Sequence, residues 1–258
     1  MRKNKTEEKV RAFNAAEAKS FIAGLELAQP PLTLFDLRSE TDKAGFVNQG
    51  SLTSFVAGMG RRNKKDVLNS TLLAQLAANR RHDRERDTEN WYRWYRTVLE
   101  NVGWVLQDFS FSRFSAGGTE FSVDEAIIDV LRAIATGDEM AVARETLQAV
   151  KNLSNNDGRL VLFEQSSHSL RSGNFQIMAA SETDGVVAMR IGTFYFTSSE
   201  DVTKLLWFRF TDSSATIYKG VQTIVLDEDV YSEVRDDVVD RLGDNAERFV
   251  KDLDIGTP

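Results

Sequence analysis

Asn152-Leu153-Ser154-Asn155-Asn156-Asp157-Gly158 is a polar turn between two hydrophobic rhythms. Before it, apolar residues recur at helical spacing; after it, they alternate as in strands until a final acidic helix. Helical segments followed by a run of strands form the pattern of segregated α+β layers, not of alternating β-α-β units.

On the C-terminal side, strands are read at Leu160 to Glu164, Asn174 to Ser181, Val186 to Thr197, Lys204 to Thr211 and Thr216 to Leu226. Together they predict a five-stranded antiparallel meander. Asp184-Gly185 suits a tight hairpin turn with positive φ. Phe175, Ile177 and Ala179 alternate on one side of their strand, and Phe194 and Phe196 share a face with Val186 and Ala188, so burial constrains the register. Val230, Val234, Val238 and Leu242 then stripe a helix that Gly243 ends, and Asp244 with Glu247 has capping-box spacing.

On the N-terminal side, one helix spans Glu139 to Leu153. Another starts at Ser122, whose spacing to Glu125 is that of a capping box, carries Ile127, Val130, Leu131 and Ile134 on one face, and stops at Gly137. Upstream, residues 107–114 read QDFSFSRF, an alternation that puts Phe109 and Phe111 on one strand face before Gly117-Gly118 turns the chain. Trp91, Trp94, Tyr95, Val98, Val102 and Leu106 form the best-defined helical stripe, opened by Asp87 or Thr88. Helices over Lys64 to Asn79 and Asn14 to Ala28, and short apolar runs at Leu32 to Leu37 and Ser51 to Ala57, complete the pass. The expected architecture is a single α+β domain over residues 13–258: a helical part (13–153), then a sheet-plus-helix part (158–255) whose acidic C-terminal helix covers one sheet face, with residues 1–12 frayed.

The 258 residues are 41% hydrophobic, enough for a sizeable core. With no cysteine, disulfides, Cys-ligated zinc, iron–sulfur clusters and thiol nucleophiles are all excluded. Glu7, Glu8, Glu17 and Lys19 interrupt what would be a signal peptide's apolar core, so the chain reads as cytoplasmic at synthesis, with release by a signal-independent route left open. No run approaches the roughly 20 apolar residues of a membrane-spanning helix.

The net charge of −7 is unevenly placed. Residues 227–254 hold eleven Asp/Glu against four Lys/Arg, whereas residues 61–96 hold ten Lys/Arg against five Asp/Glu. This polarity motivates the first functional expectation: a non-enzymatic interaction protein, self-associating through the basic segment and the acidic helix or pairing them within one molecule. The second is a membrane-active, toxin-like protein, with Phe109, Phe111, Phe114, Trp91 and Trp94 as its partner or membrane surface. The third is an enzyme acting on an anionic substrate near residues 58–65.

For the third, Gly58-Met59-Gly60-Arg61-Arg62-Asn63, followed by Lys64 and Lys65 at a helix start, resembles an anion cradle, because backbone N–H groups and cations converge there. Asn63 replaces the third glycine of a dinucleotide fingerprint, and no Gly-Lys-Ser/Thr follows. Only His82 and His168 are available for metal or triad chemistry. His82 sits in the charge run RRHDRERD, read as solvated, and His168 lies in Ser166-Ser167-His168-Ser169, read as a polar loop. Asp227, Glu228 and Asp229 begin a helix whose dipole favours negative charge. Asp236, Asp237 and Asp240 follow along it as a string without an EF-hand glycine. No catalytic residue, metal site or cofactor is assigned. Acids between Asp66 and Glu89 interrupt the basic surface, so nucleic acid is disfavoured as a partner.

Overall fold

The computed structural model describes residues 13–29, 43–106, 110–114, 120–211 and 214–255. Residues 1–12, expected to be frayed, the run at Leu32 to Leu37, Phe109 and the turn expected at Gly117-Gly118 lie outside them. The first half holds α1 (Ala15–Gly24), β1 (Ala44–Asn48), β2 (Ser51–Phe55), α2 (Arg61–Arg81), α3 (Thr88–Asn101), β3 (Trp104–Leu106), β4 (Ser112–Arg113), β5 (Glu120–Ser122), α4 (Val123–Arg132) and α5 (Gly137–Asn152). The second holds α6 (Gly158–Ser167), β6 (Ser172–Thr183), β7 (Val186–Ser198), β8 (Arg209–Thr211), β9 (Ala215–Leu226), α7 (Glu228–Leu242), α8 (Asn245–Phe249) and β10 (Val250–Asp252).

The α+β class holds, but the sheet is larger and mixed. Among the described residues it has eight strands in the order β10-β1-β2-β6-β7-β9-β3, with β4 also on β9. β2 runs parallel to β6 and the other pairs are antiparallel. The predicted meander survives as the long strands β6, β7 and β9. Leu160 to Glu164 is helical instead: Asp157 caps α6 by accepting from the Arg159 N–H, and four consecutive apolar residues cannot by themselves distinguish a strand from a helix turn. Lys204 to Thr211 is a 3-10 turn at Leu205–Trp207 followed by β8, which pairs with β5 in a separate two-stranded sheet. The missing central partner comes from the N-terminal half, where β2 aligns Leu52 with Ile177 and Phe55 with Ala180.

Helices cover both faces, and each strand feeds them alternately. From β6, Met178 and Ala180 join Phe55, Met189, Ile191 and Ile224 beneath α1, α2, α3 and α7. Phe175 and Ile177 point the other way, with Leu52, Phe194 and Phe196, under α4, α5 and α6. α2 is enclosed almost all round from Val67 to Ala78. Its polar residues are therefore bonded: Thr71 Oγ1 donates to the Val67 carbonyl and accepts from Asn48 Nδ2, and Gln75 Nε2 donates to the Asn48 carbonyl.

Local signals mostly fall where expected. The Ser122/Glu125 capping box is present at α4. Asp184 (φ 52°) and Gly185 (φ 78°) make the β6–β7 turn, and Gly243 (φ 50°) ends α7. Gly137, however, opens α5 instead of stopping α4, because Thr136 and Glu139 form a second capping box just before and after it. Asp244 makes no side-chain cap for α8.

Candidate functional site

At the loop expected to cradle an anion, a carboxylate of the chain itself takes up two of the donors. Gly58 adopts φ 87° and Gly60 is the N-cap residue of α2. Glu182, near the end of β6, accepts from the Gly60 N–H at 3.1 Å and from Asn63 Nδ2 at 2.8 Å. Arg62 turns away to Glu228 at 2.6 Å. Arg61 and Lys65 are exposed and Lys64 is half-buried.

Arg62 belongs to a junction that joins the basic and acidic segments inside one molecule. Arg235 on α7 donates its Nε–H to both oxygens of Asp66 on α2, each at 3.1 Å, and a second donor to Glu228 at 2.5 Å. Burial holds the Asp66 carboxyl above the usual carboxylate range despite its bonds to Arg235. Glu228 also loses solvent, but its bonds from Arg62 and Arg235 outweigh that and push it below the range. Lys19 on α1 reaches Asp237 at 3.5 Å. Asp229, Glu233, Asp236 and Asp240 line the outward side of α7, exposed.

A second cation shows what the charge run conceals. RRHDRERD is not solvated throughout: the Arg84 guanidinium is enclosed even though the residue keeps some surface. Its Nε–H donates to the Asn174 carbonyl at 2.7 Å, one terminal nitrogen to Gln75 Oε1 and the other to the Gly50 carbonyl and Gln176 Oε1. Its face lies 4.6 Å from the Trp91 ring. Burial lowers its pKa to about 10. Arg84 therefore staples the α2–α3 corner to β6 and to the β1–β2 turn with neutral acceptors. A Cβ at Gly50 would lie 2.5 Å from this guanidinium, so only glycine lets it approach.

The predicted aromatic surface divides. Trp91 is fully buried, donates Nε1–H to Asn79 Oδ1 at 2.7 Å and stacks on Tyr95. Phe111 packs edge-on against Tyr92 and Tyr195, and Phe114 against Phe121, both half-buried. Trp94 is likewise half-buried, beside Phe21 at 5.8 Å with the Arg81 guanidinium 3.9 Å from its ring centre. It faces an open groove of about 560 Å³ between α1, α2 and α3, lined also by Leu25, Ala77, Glu26 and Arg80. In the sequence, Phe21 falls within the helix read over Asn14 to Ala28 without being singled out as a site residue, and Arg81 is only part of a charge count. A helix-face plot placing Arg81 toward α3 was the available signal.

His168 is locked and faces no serine as a base. Its Nδ1 meets the Ser169 carbonyl at 2.8 Å and its Nε2 meets Glu164 at 2.5 Å. Burial opposes its charge, yet these bonds outweigh it and raise the His168 pKa. Ser169 and Ser172 donate instead to Glu85. Glu120 lies exposed on β5, and Asp124 pairs with Lys151 at 2.5 Å. Asp227 caps α7 by accepting from the Val230 N–H at 3.2 Å. Among the described residues, no three His, Asp or Glu side chains converge as a metal ion requires. Nor is any described helix long and apolar enough to cross a membrane.

No family model matches this chain, and no curated protein matches it. Several solved structures match it weakly, three of which follow. One is a delta-endotoxin, 12% identical, with 78% of this chain and 90% of that one covered at a TM-score of 0.42. Another is the Evf virulence factor, 8% identical, with 87% and 90% covered at 0.37. The third is the activated Cyt2Ba monomer from Bacillus thuringiensis subsp. israelensis, 11% identical, with 69% and 97% covered at 0.34. Scores of this size carry no functional inference.

Proposed function

We propose that this chain is a non-enzymatic binding protein that engages anionic lipid surfaces through the outer side of α1, α2 and α3, the membrane-active reading of the sequence. The observation that carries it is the grouping of half-buried aromatic and exposed cationic side chains around Trp94: Phe21, Arg80 and Arg81 border one open groove. An indole at a bilayer interface keeps its ring in the apolar region while arginines beside it meet phosphate, which is why such residues gather at membrane–water boundaries. Electrostatic attraction to lipid falls with ionic strength because exposed charges are screened over roughly 10 Å at 0.1 M salt. Flotation with anionic and with zwitterionic vesicles tests the reading. Salt-sensitive binding to the anionic ones is expected, and absence of binding to both would end it.

A second reading, self-association, is favoured by the exposed stripe Asp229, Glu233, Asp236 and Asp240 on α7. It requires these acids to meet exposed cations of another copy, since Asp66, Glu228, Arg62 and Arg235 are engaged within one molecule. Light scattering at low and high salt measures this directly. A mass that stays monomeric in both removes it.

A further inference from the structure

We infer that the groove between α1, α2 and α3 is a site for one free single-chain amphiphile bearing a carboxylate head. Its volume, about 560 Å³, falls within the range of roughly 300–1,000 Å³ typical of small-molecule sites. Phe21, Leu25 and Trp94 give it apolar walls, which suit an alkyl body and leave no reason to hold a fully polar ligand.

The rim fixes the head group. Arg80 pairs with Glu26 at 3.1 Å, both side chains well exposed, so that pair is neutral. Arg81 makes no ion pair or hydrogen bond among the described residues; its guanidinium carbon lies 3.9 Å from the centre of the Trp94 ring. One uncompensated cation matches a monoanion. Contact with the ring uses none of its N–H donors, and a guanidinium with its donors unengaged can take a carboxylate through two parallel bonds. Trp94 thus has two roles, as an apolar wall and as the platform that orients Arg81.

This inference shares its residues with the lipid-surface proposal, and the experiment separates the two. The full chain is titrated with decanoate below its micelle range, with decanol and with acetate, by calorimetry and by tryptophan emission. Decanoate should bind at one site, with decanol and acetate each about tenfold or more weaker, because each lacks one half of the recognition. Arg81→Gln should bring decanoate down to the level of decanol. Trp94→Phe should abolish the emission change while calorimetric binding persists, since none of the other three tryptophans, Trp91, Trp104 and Trp207, lines the groove. Equal affinity for decanoate and decanol, an unaffected Arg81→Gln variant, or no decanoate binding would each overturn the inference. Vesicle binding without decanoate binding would overturn this site and leave the surface reading standing; the opposite result would do the reverse.

Discussion

The two faces of the central sheet are held to their helices by different means. Against α4, α5 and α6 the contact is mainly aromatic: Phe163, Phe175, Phe194, Phe196 and Phe210 are fully buried, with Phe175 and Phe194 stacked 5.0 Å apart, and its polar ties are fewer, Ser54 to Thr146 and Glu139 to Ser181 and Arg190. Against α1, α2, α3 and α7 the apolar contact is threaded with polar connections, from Asn48 and Gln75 through Arg84 to the Asp66–Arg235 pair. Aromatic packing tolerates small shifts of helix against strand, whereas bonded polar groups fix one register and lose much of their benefit when displaced. The stapled layer is also the one that carries the groove and the Trp94–Arg81 contact. A precisely held helical layer is what a defined binding surface requires.

The comparison can be broken from either side. Phe194→Ala on the aromatic face should give the largest loss, about 3–5 kcal/mol, because a fully buried ring leaves a cavity; denaturant unfolding measures it, and vesicle binding by the remaining folded protein should be unchanged. Arg84→Met on the stapled face should cost about 3 kcal/mol, by leaving the Gly50 and Asn174 carbonyls without their donor. Unlike Phe194→Ala, it should also weaken vesicle binding, since the α2–α3 corner loses its anchor. Equal effects of both variants on binding would erase the distinction between the faces.

The smallest effect is a pH dependence. His168 has a raised pKa in the folded chain, so its contribution is fully present below the ordinary histidine value of about 6.5 and is lost as pH rises through the higher folded value. His168→Gln should therefore destabilise by roughly 1 kcal/mol near pH 6 and by less near pH 9. Thermal melts at the two values check it, and a gap that widens with pH would mean that the Glu164 bond does not favour the charged ring.

How much of this was legible depends on range. Capping at Ser122, the Asp184-Gly185 turn and the stripe of α3 as far as Val98 are set by residues within a few positions of one another, and the sequence displays them, although Leu106, read as the end of that stripe, lies in β3. The parallel partnership of β2 with β6 joins segments more than a hundred residues apart, and a five-residue strand leaves no periodicity long enough to announce it. The helix at Gly158–Ser167 was misread for the same reason, since its apolar residues are few and consecutive. Charge was legible in quantity but not in partner. The counts over 61–96 and 227–254 foresaw that opposite charges could meet, but could not assign Arg235 to Asp66, Arg84 to neutral carbonyls, or Glu182 to the cradle at Gly60. Among the aromatics, spacing alone treated Trp91 and Trp94 alike; only the packing of α1 beside α3 separates the buried ring from the one at the groove.

The most direct test of the account is co-flotation of the full chain with anionic vesicles at low and high salt, comparing the native protein with a Trp94→Ala, Arg81→Gln variant whose melting temperature is measured alongside. The account predicts binding by the native chain that weakens with salt, and loss of most of it in a variant that remains folded. Undiminished binding by that folded variant, or native binding that ignores salt, would contradict it.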